Sequence, residues 1–277
     1  MRALVIGAAG KTGRAVTRAL AARGVDVRAA VRSAGAEDRA HRAGAGSVAV
    51  VDLETGAGLG AAVDGVDAVY HLAPNVHPDE VGIARRVATA AAGAGVARFA
   101  FHSVLHPDDA SMPHHVRKGR AEAVVRELHP EALVLRPAAY HQNLLDAARA
   151  GRIAVPYSLD TPFTNVDLDD VAEVAALLLT EPVWRTGTFE LAGPERLTVR
   201  QLADVAARTL GHPVVAERVA LDAWRAGPGA ALAASARADL EAMFAAYDRD
   251  GLVGDPTPLG RLLPHAPRTW SAALTAG

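Results

Sequence analysis

The string Gly7-Ala8-Ala9-Gly10-Lys11-Thr12-Gly13 is the first place in the chain where residue types and spacing could do chemistry. An apolar run precedes it and a helix-periodic stretch follows, the context in which glycines cradle phosphates. Gly7 permits a tight turn, Gly10 lets backbone N–H groups approach a pyrophosphate, and Gly13 lets a helix pack close to a strand. The start of that helix adds partial positive charge. An NAD site would place Asp or Glu at the end of the second strand. Asp26 stands at the start of that strand, and the far end reads Val31-Arg32-Ser33. A guanidinium offers a fork of donors to a 2′-phosphate, and Lys11 adds to the positive field, so the pattern favours NADP(H) over NAD(H). Asp52 ends the third strand, where it either bonds an adenine amino group or closes a turn. Ala73-Pro74 follows the fourth strand and is read as a cofactor contact, not as chemistry.

A second set of reactive residues lies further along. Ser103 ends the fifth strand, and Pro113 suits the first position of a helix. His114 and Lys118 then fall four apart, on one face of that helix. A histidine there could act as a general acid near neutral pH, or be a plain cap. Tyr140 and Asn143 follow the sixth strand, Tyr140 reading equally as a packed aromatic at a helix start. His102, His106, His114 and His115 have no carboxylate at helical ligand spacing, so no metal site is expected. No G-x-S-x-G nucleophile elbow occurs.

The elements that must position these residues alternate regularly. Apolar strands at about residues 3–8, 25–31, 47–52, 66–72, 96–103 and 132–136 are separated by helical stretches at 12–23, 59–63, 80–94 and 113–128. Strands that are apolar almost throughout, with helices between them, indicate an α/β fold with a doubly wound parallel sheet. After residue 150 the rhythm breaks. Residues 151–164 read as a loop, a helix opens near 166 and runs to 180, and a strand at 188–191 returns to the sheet. Beyond lie a helix at 198–210, a short strand at 214–219 and helices to about 247. Residues 251–277 hold four prolines and few periodic positions. The expected organisation is a dinucleotide-binding domain over 1–150, rejoined by 166–192, with a smaller, mostly helical substrate region over 151–165 and 193–277.

Composition narrows the function classes. The chain has 277 residues, half of them hydrophobic and 22% charged, which excludes a disordered chain. A net charge of −2 disfavours a broad nucleic-acid-binding surface. With no cysteine there is no disulfide, thiolate metal site or cysteine nucleophile. Runs free of charged residues reach only the eleven positions of 87–97, too short to span a bilayer, and the first residues do not resemble a signal peptide. A cytoplasmic protein acting on a small molecule, without nucleic acid or membrane, is expected.

The stretch Phe101-His102-Ser103-Val104-Leu105-His106-Pro107, that from Pro113-His114-His115 to Lys118 and Glu122, and Leu135-Arg136-Pro137-Ala138-Ala139-Tyr140-His141-Gln142-Asn143-Leu144-Leu145 together resemble the NmrA-like branch of the atypical short-chain dehydrogenases. The G-x-x-G-x-x-G spacing and residues 166–171 belong to the same likeness, which covers roughly residues 1–210. The resemblance implies that Lys118 contacts the nicotinamide ribose and assists proton transfer. It puts Ser103 at the active-site serine, and Tyr140 and Asn143 on the substrate side. His114 departs from the pattern, standing where ordinary members carry tyrosine. The family holds NADPH-dependent quinone and isoflavone-type reductases, and also regulators that bind NADP(H) without turning it over. An oxidoreductase passing hydride to a quinone, enone, carbonyl or natural-product intermediate is therefore expected. The alternatives are such a regulator, or a non-redox isomerase or cyclase on the same scaffold.

Overall fold

The computed structural model describes residues 1–276. Its strands are β1 (Arg2–Ile6), β2 (Asp26–Val31), β3 (Ser47–Val50), β4 (Ala68–His71), β5 (Arg98–His102), β6 (Leu133–Pro137), β7 (Arg152–Val155), β8 (Gly187–Leu191) and β9 (Val215–Arg218). Seven of them form one sheet in the order β3-β2-β1-β4-β5-β6-β8. The neighbouring pairs from β3 through β6 are parallel, Ala3 lying against Val27 on one side and Ala68 on the other. Central strands of such a sheet are covered on both faces, which is why Ala3, Leu4, Val5 and Ile6 are all fully buried. The fold is the expected doubly wound α/β type. Strand order reverses between β1 and β4, so the chain leaves these neighbours in opposite directions and opens a crevice at their carboxyl ends.

The chain divides into two compact units. The first comprises Met1–Pro107, Arg117–Arg136 and Val171–Phe189. Its core runs from Leu4 and Ile6 through Val69, Val87 and Phe99 to Phe101, Val125 and Val134. The short helix Glu37–Arg42, absent from the sequence reading, belongs here. It buries only Ala40, too little apolar surface to leave a periodic trace.

The second unit holds Asp108–Val116, Pro137–Asp170 and the chain from Glu190 onward. Two expectations need correction there. Residues 151–164 are not all loop: β7 pairs in parallel with β9, Arg152 against Val215, making a two-stranded sheet in a region expected to be mostly helical. Arg152-Ile153-Ala154-Val155 does alternate exposed and buried, but so short a run between Gly151 and Pro156 reads equally as loop. The end of the chain is also more ordered than its prolines imply, with helices Thr257–Leu262 and Trp270–Thr275. Thr269 caps the latter by accepting from the Ala272 amide at 3.3 Å. Trp270 is fully buried among Leu202, Ala206, Ile153 and Leu274, and its indole N–H donates to the Leu202 carbonyl at 2.9 Å. Among the described residues no helix is long and apolar enough to cross a membrane.

Because Trp270 fills this core from the last helix, Trp270→Ala should lower the unfolding free energy by about 3–5 kcal/mol. Urea denaturation followed by far-UV circular dichroism measures it. A loss below about 1 kcal/mol would mean that the final helix is dispensable to the second unit.

Candidate functional site

The glycine loop sits at the strand reversal. Gly7 follows β1 with φ +73°, and a Cβ there would come within 2.8 Å of the Leu72 carbonyl oxygen. A Cβ on Gly13 would lie 2.2 Å from the Gly7 carbonyl oxygen, so no other residue lets the helix Lys11–Ala22 start this close to the strand. The Gly10 amide is spent inside the turn, donating to the Gly7 carbonyl at 3.0 Å. Arg14 makes the next bond, to the Gly10 carbonyl at 2.9 Å, the first rung of the helix, and the amides of the first turn lie ahead of that rung at the end of β1. No side chain caps that start and its first turn carries no acid. A glycine cradle ending in an uncapped, acid-free helix terminus fits a dinucleotide pyrophosphate.

The other cofactor residues occupy the carboxyl edge of the first unit. Arg32 and Ser33 are exposed just past β2. Ala73, buried, and Pro74, exposed, follow β4. Asp52 closes a turn: its carboxylate accepts from the Glu54 amide at 2.8 Å and the Thr55 hydroxyl at 2.8 Å. Those bonds, Thr55 foremost, hold its carboxyl below the usual range. Of its two readings, the turn is the one the structure displays. The loops after β4 and β5 contain the non-glycine residues with left-handed backbone, Val76 (φ +46°) and His106 (φ +54°). Strain of this kind gathers where a loop is shaped for a ligand.

Lys118 projects from the helix Pro113–Leu128 into the ends of β4 and β5. Its side chain is only 6% exposed, and Nζ lies 2.7 Å from the fully buried Glu80 carboxylate. The ammonium also donates to the His102 carbonyl at 3.2 Å and sits 5.4 Å from the Phe101 ring centre. Around it are two buried imidazoles. The Tyr70 hydroxyl bonds His102 Nδ1, whereas neither ring nitrogen of His71 has a hydrogen-bond partner. Ser103 is near this group, but its hydroxyl donates to Glu122, which Arg136 grips with two bonds of 2.9 and 2.6 Å. The Ser103 hydroxyl thus stands in one bonded group with Glu122 and Arg136.

The remaining candidates belong to the second unit. His114 is buried with its ring edge-on to His115 at 5.8 Å. Tyr140 is half-buried, bridges to Val166 in the manner of a strand, and precedes the helical turn His141–Asn143, in which Asn143 is exposed. Sequence reasoning overlooked His71, His141 and above all Glu80. One signal was available: of 29 basic side chains only Lys11 and Lys118 are lysine, which marks both as places where arginine would not serve.

A strand–glycine loop–helix unit at the reversal point of a parallel sheet, with a buried lysine at the same sheet edge, defines a dinucleotide-binding protein of the short-chain dehydrogenase type. The chain belongs to the NmrA-like family, whose model matches residues 1–260. It is 33% identical over 231 residues to a (4-alkanoyl-5-oxo-2,5-dihydrofuran-3-yl)methyl phosphate reductase of Streptomyces griseus, covering 80% of this chain and 78% of that one. It is 29% identical over 260 residues to an NAD(P)H azoreductase of Xenophilus azovorans, covering 91% and 89%. The fold is shared with an NADPH-dependent quinone oxidoreductase of Escherichia coli solved with NADPH, at a TM-score of 0.83, 23% identity and 99% of each chain.

Burial sets the protonation of three histidines. It pushes His71 and His102 down to about 3, the Lys118 charge adding to it, and His141 to about 4. Each is neutral in the folded chain and takes up a proton on unfolding below the ordinary histidine value of about 6.5. Stability should thus be unaffected by these groups above pH 6.5 and fall as pH drops toward 4. With all three titrating, the slope reaches about 4 kcal/mol per pH unit. Urea denaturation between pH 7 and 5 reads it, and His71→Phe should shed about one proton from the slope. An unfolding free energy that stays level across that range would contradict neutral buried imidazoles.

Proposed function

We propose that the chain is an NADPH-dependent reductase that passes hydride to a small conjugated or carbonyl acceptor, such as a quinone or an enone. The observation that carries this is the glycine cradle with its uncapped helix start, set at the same sheet edge as the buried Lys118. The reductase names of its relatives support the same class. NADPH, when bound, supplies the hydride. The amides of Lys11, Thr12 and Gly13 would hold the pyrophosphate, Arg32 the 2′-phosphate, with Asp52, Ala73 and Pro74 beside the rest of the nucleotide. An ammonium has three donors; the His102 carbonyl takes one and the Glu80 carboxylate stands at ion-pair distance, so Lys118 keeps a donor for a ribose hydroxyl. His114, at the position of the family's tyrosine, is assigned the proton delivered to the reduced acceptor, with Tyr140 or a water as the alternative source. Tyr140 and Asn143 are assigned to acceptor contact. Ser103 serves by holding Glu122.

Fluorescence titration with NADPH and NADH, followed by oxidation with a panel of quinones and enones, tests the reading. NADPH should bind at least about tenfold tighter than NADH, and Arg32→Ala should erase that difference while leaving NADH affinity unchanged. Lys118→Ala should cut turnover about a hundredfold or more. Equal affinity for the two nucleotides would remove the role given to Arg32. Tight NADPH binding without turnover on any acceptor would replace the reductase by a nucleotide-binding regulator.

A further inference from the structure

We propose that Glu80 is the positioning residue for Lys118: its buried carboxylate fixes where the ammonium stands at the sheet edge and so sets the reach of the lysine's remaining donor. The inference rests on the assignment of Lys118 to the reaction.

Glu80 opens the helix Glu80–Gly93, and its side chain is fully buried. A carboxylate in such a place normally gathers several hydrogen bonds, because burying it otherwise is costly. Among the described residues neither Glu80 oxygen has a partner of hydrogen-bond geometry, and its ion-pair partner is Lys118 Nζ at 2.7 Å. The positive end of its own helix favours the charge. A buried ion pair is seldom kept for stability, since two apolar residues of similar volume do as well or better. That leaves geometry as the reason for keeping it. The choice of lysine agrees, because arginine is the cation nearly everywhere else in this chain. A guanidinium would spread over a planar fork, whereas an ammonium is a compact charge that two acceptors can pin.

The scaffold on both sides is braced. Asp79, next to Glu80, pairs with Arg86 at 2.6 Å, and Arg86 also donates to the Leu53 carbonyl at 2.8 Å, which anchors the helix start. The second acceptor, the His102 carbonyl, lies at the end of β5, and the His102 ring is tied to Tyr70 on β4. His71 and His102 face the ammonium as neutral rings, and Glu122, one turn further along the helix, is already paired with Arg136. Among the described residues Glu80 is therefore the carboxylate paired with Lys118.

With only two lysines, the full-length protein labelled with 13C at lysine Cε gives two signals, and Lys118→Met assigns them. In Glu80→Gln the Lys118 signal should move or broaden while that of Lys11 stays. Turnover at saturating NADPH and acceptor should fall about tenfold to a hundredfold, the scale of a misplaced group, with the acceptor KM nearly unchanged. Glu80→Asp, which keeps the charge on a shorter arm, should recover part of the turnover. If Glu80→Gln does not fold, Glu80→Asp carries the test, with a moved Lys118 signal and intermediate turnover expected. An unmoved Lys118 signal with wild-type turnover in the folded variant overturns the proposal. If the wild-type protein turns over no acceptor, the reductase reading fails by itself. Glu80 is then judged on the Lys118 signal and on NADPH affinity, and unchanged values of both overturn it.

Discussion

The first unit depends on one close approach, that of the helix Lys11–Ala22 to the end of β1. A Cβ at Gly13 would sit 2.2 Å from the Gly7 carbonyl oxygen, well inside contact distance, so the packing exists only because that side chain is missing. The same approach spends the Gly10 amide in the turn and brings the amide donors of the first helical turn to the end of β1. Because β1 is the strand at which the sheet order reverses, these donors emerge at the crevice instead of against a neighbouring crossover. Packing and anion affinity are here two results of one steric fact.

Opposed to this open, backbone-built end is the closed and charged arrangement at β4 and β5. There the sheet edge holds Lys118, Glu80, His71, His102 and Tyr70, all with little or no exposure. Neutral imidazoles and a single carboxylate keep the ammonium from being an uncompensated buried charge. Nearby, Glu122 gathers Ser103 and Arg136 into a separate, fully bonded group. Two carboxylates on different helices thus do different work: Glu122 gathers a serine and an arginine, and Glu80 faces a lysine.

The second unit is stabilised by other means. Its β7–β9 pair is short, and its core is completed by the last helix through Trp270. Asp170, fully buried, accepts from the Arg268 backbone amide at 2.7 Å and from its guanidinium, which ties the segment before Trp270 to the helix Leu168–Thr180. Tyr157, Phe163, Phe244 and Tyr247 meet edge-on or tilted at 5.3 to 5.9 Å, concentrating in this unit much of a sparse aromatic content.

By itself the sequence determined the parallel sheet, a helix at about 113–128, the return of β8, and the glycine loop with Arg32 behind it. These are written in local composition: runs of apolar residues, 3.6-residue spacing, and glycines where a strand gives way to a helix. It also placed Lys118 on the right helix. What only the tertiary structure decided was which groups meet across long separations. Glu80 and Lys118 stand 38 positions apart on different helices, and neither stretch carries a mark of the other. The bonds of Ser103 to Glu122 and of Glu122 to Arg136 likewise join three separate elements, and none of the three stretches announces the others. The tail after residue 251 lacked periodicity because its helices are six residues long and owe their order to the core that Trp270 enters. Periodicity records which face of an element is buried; it holds no record of what that face is buried against.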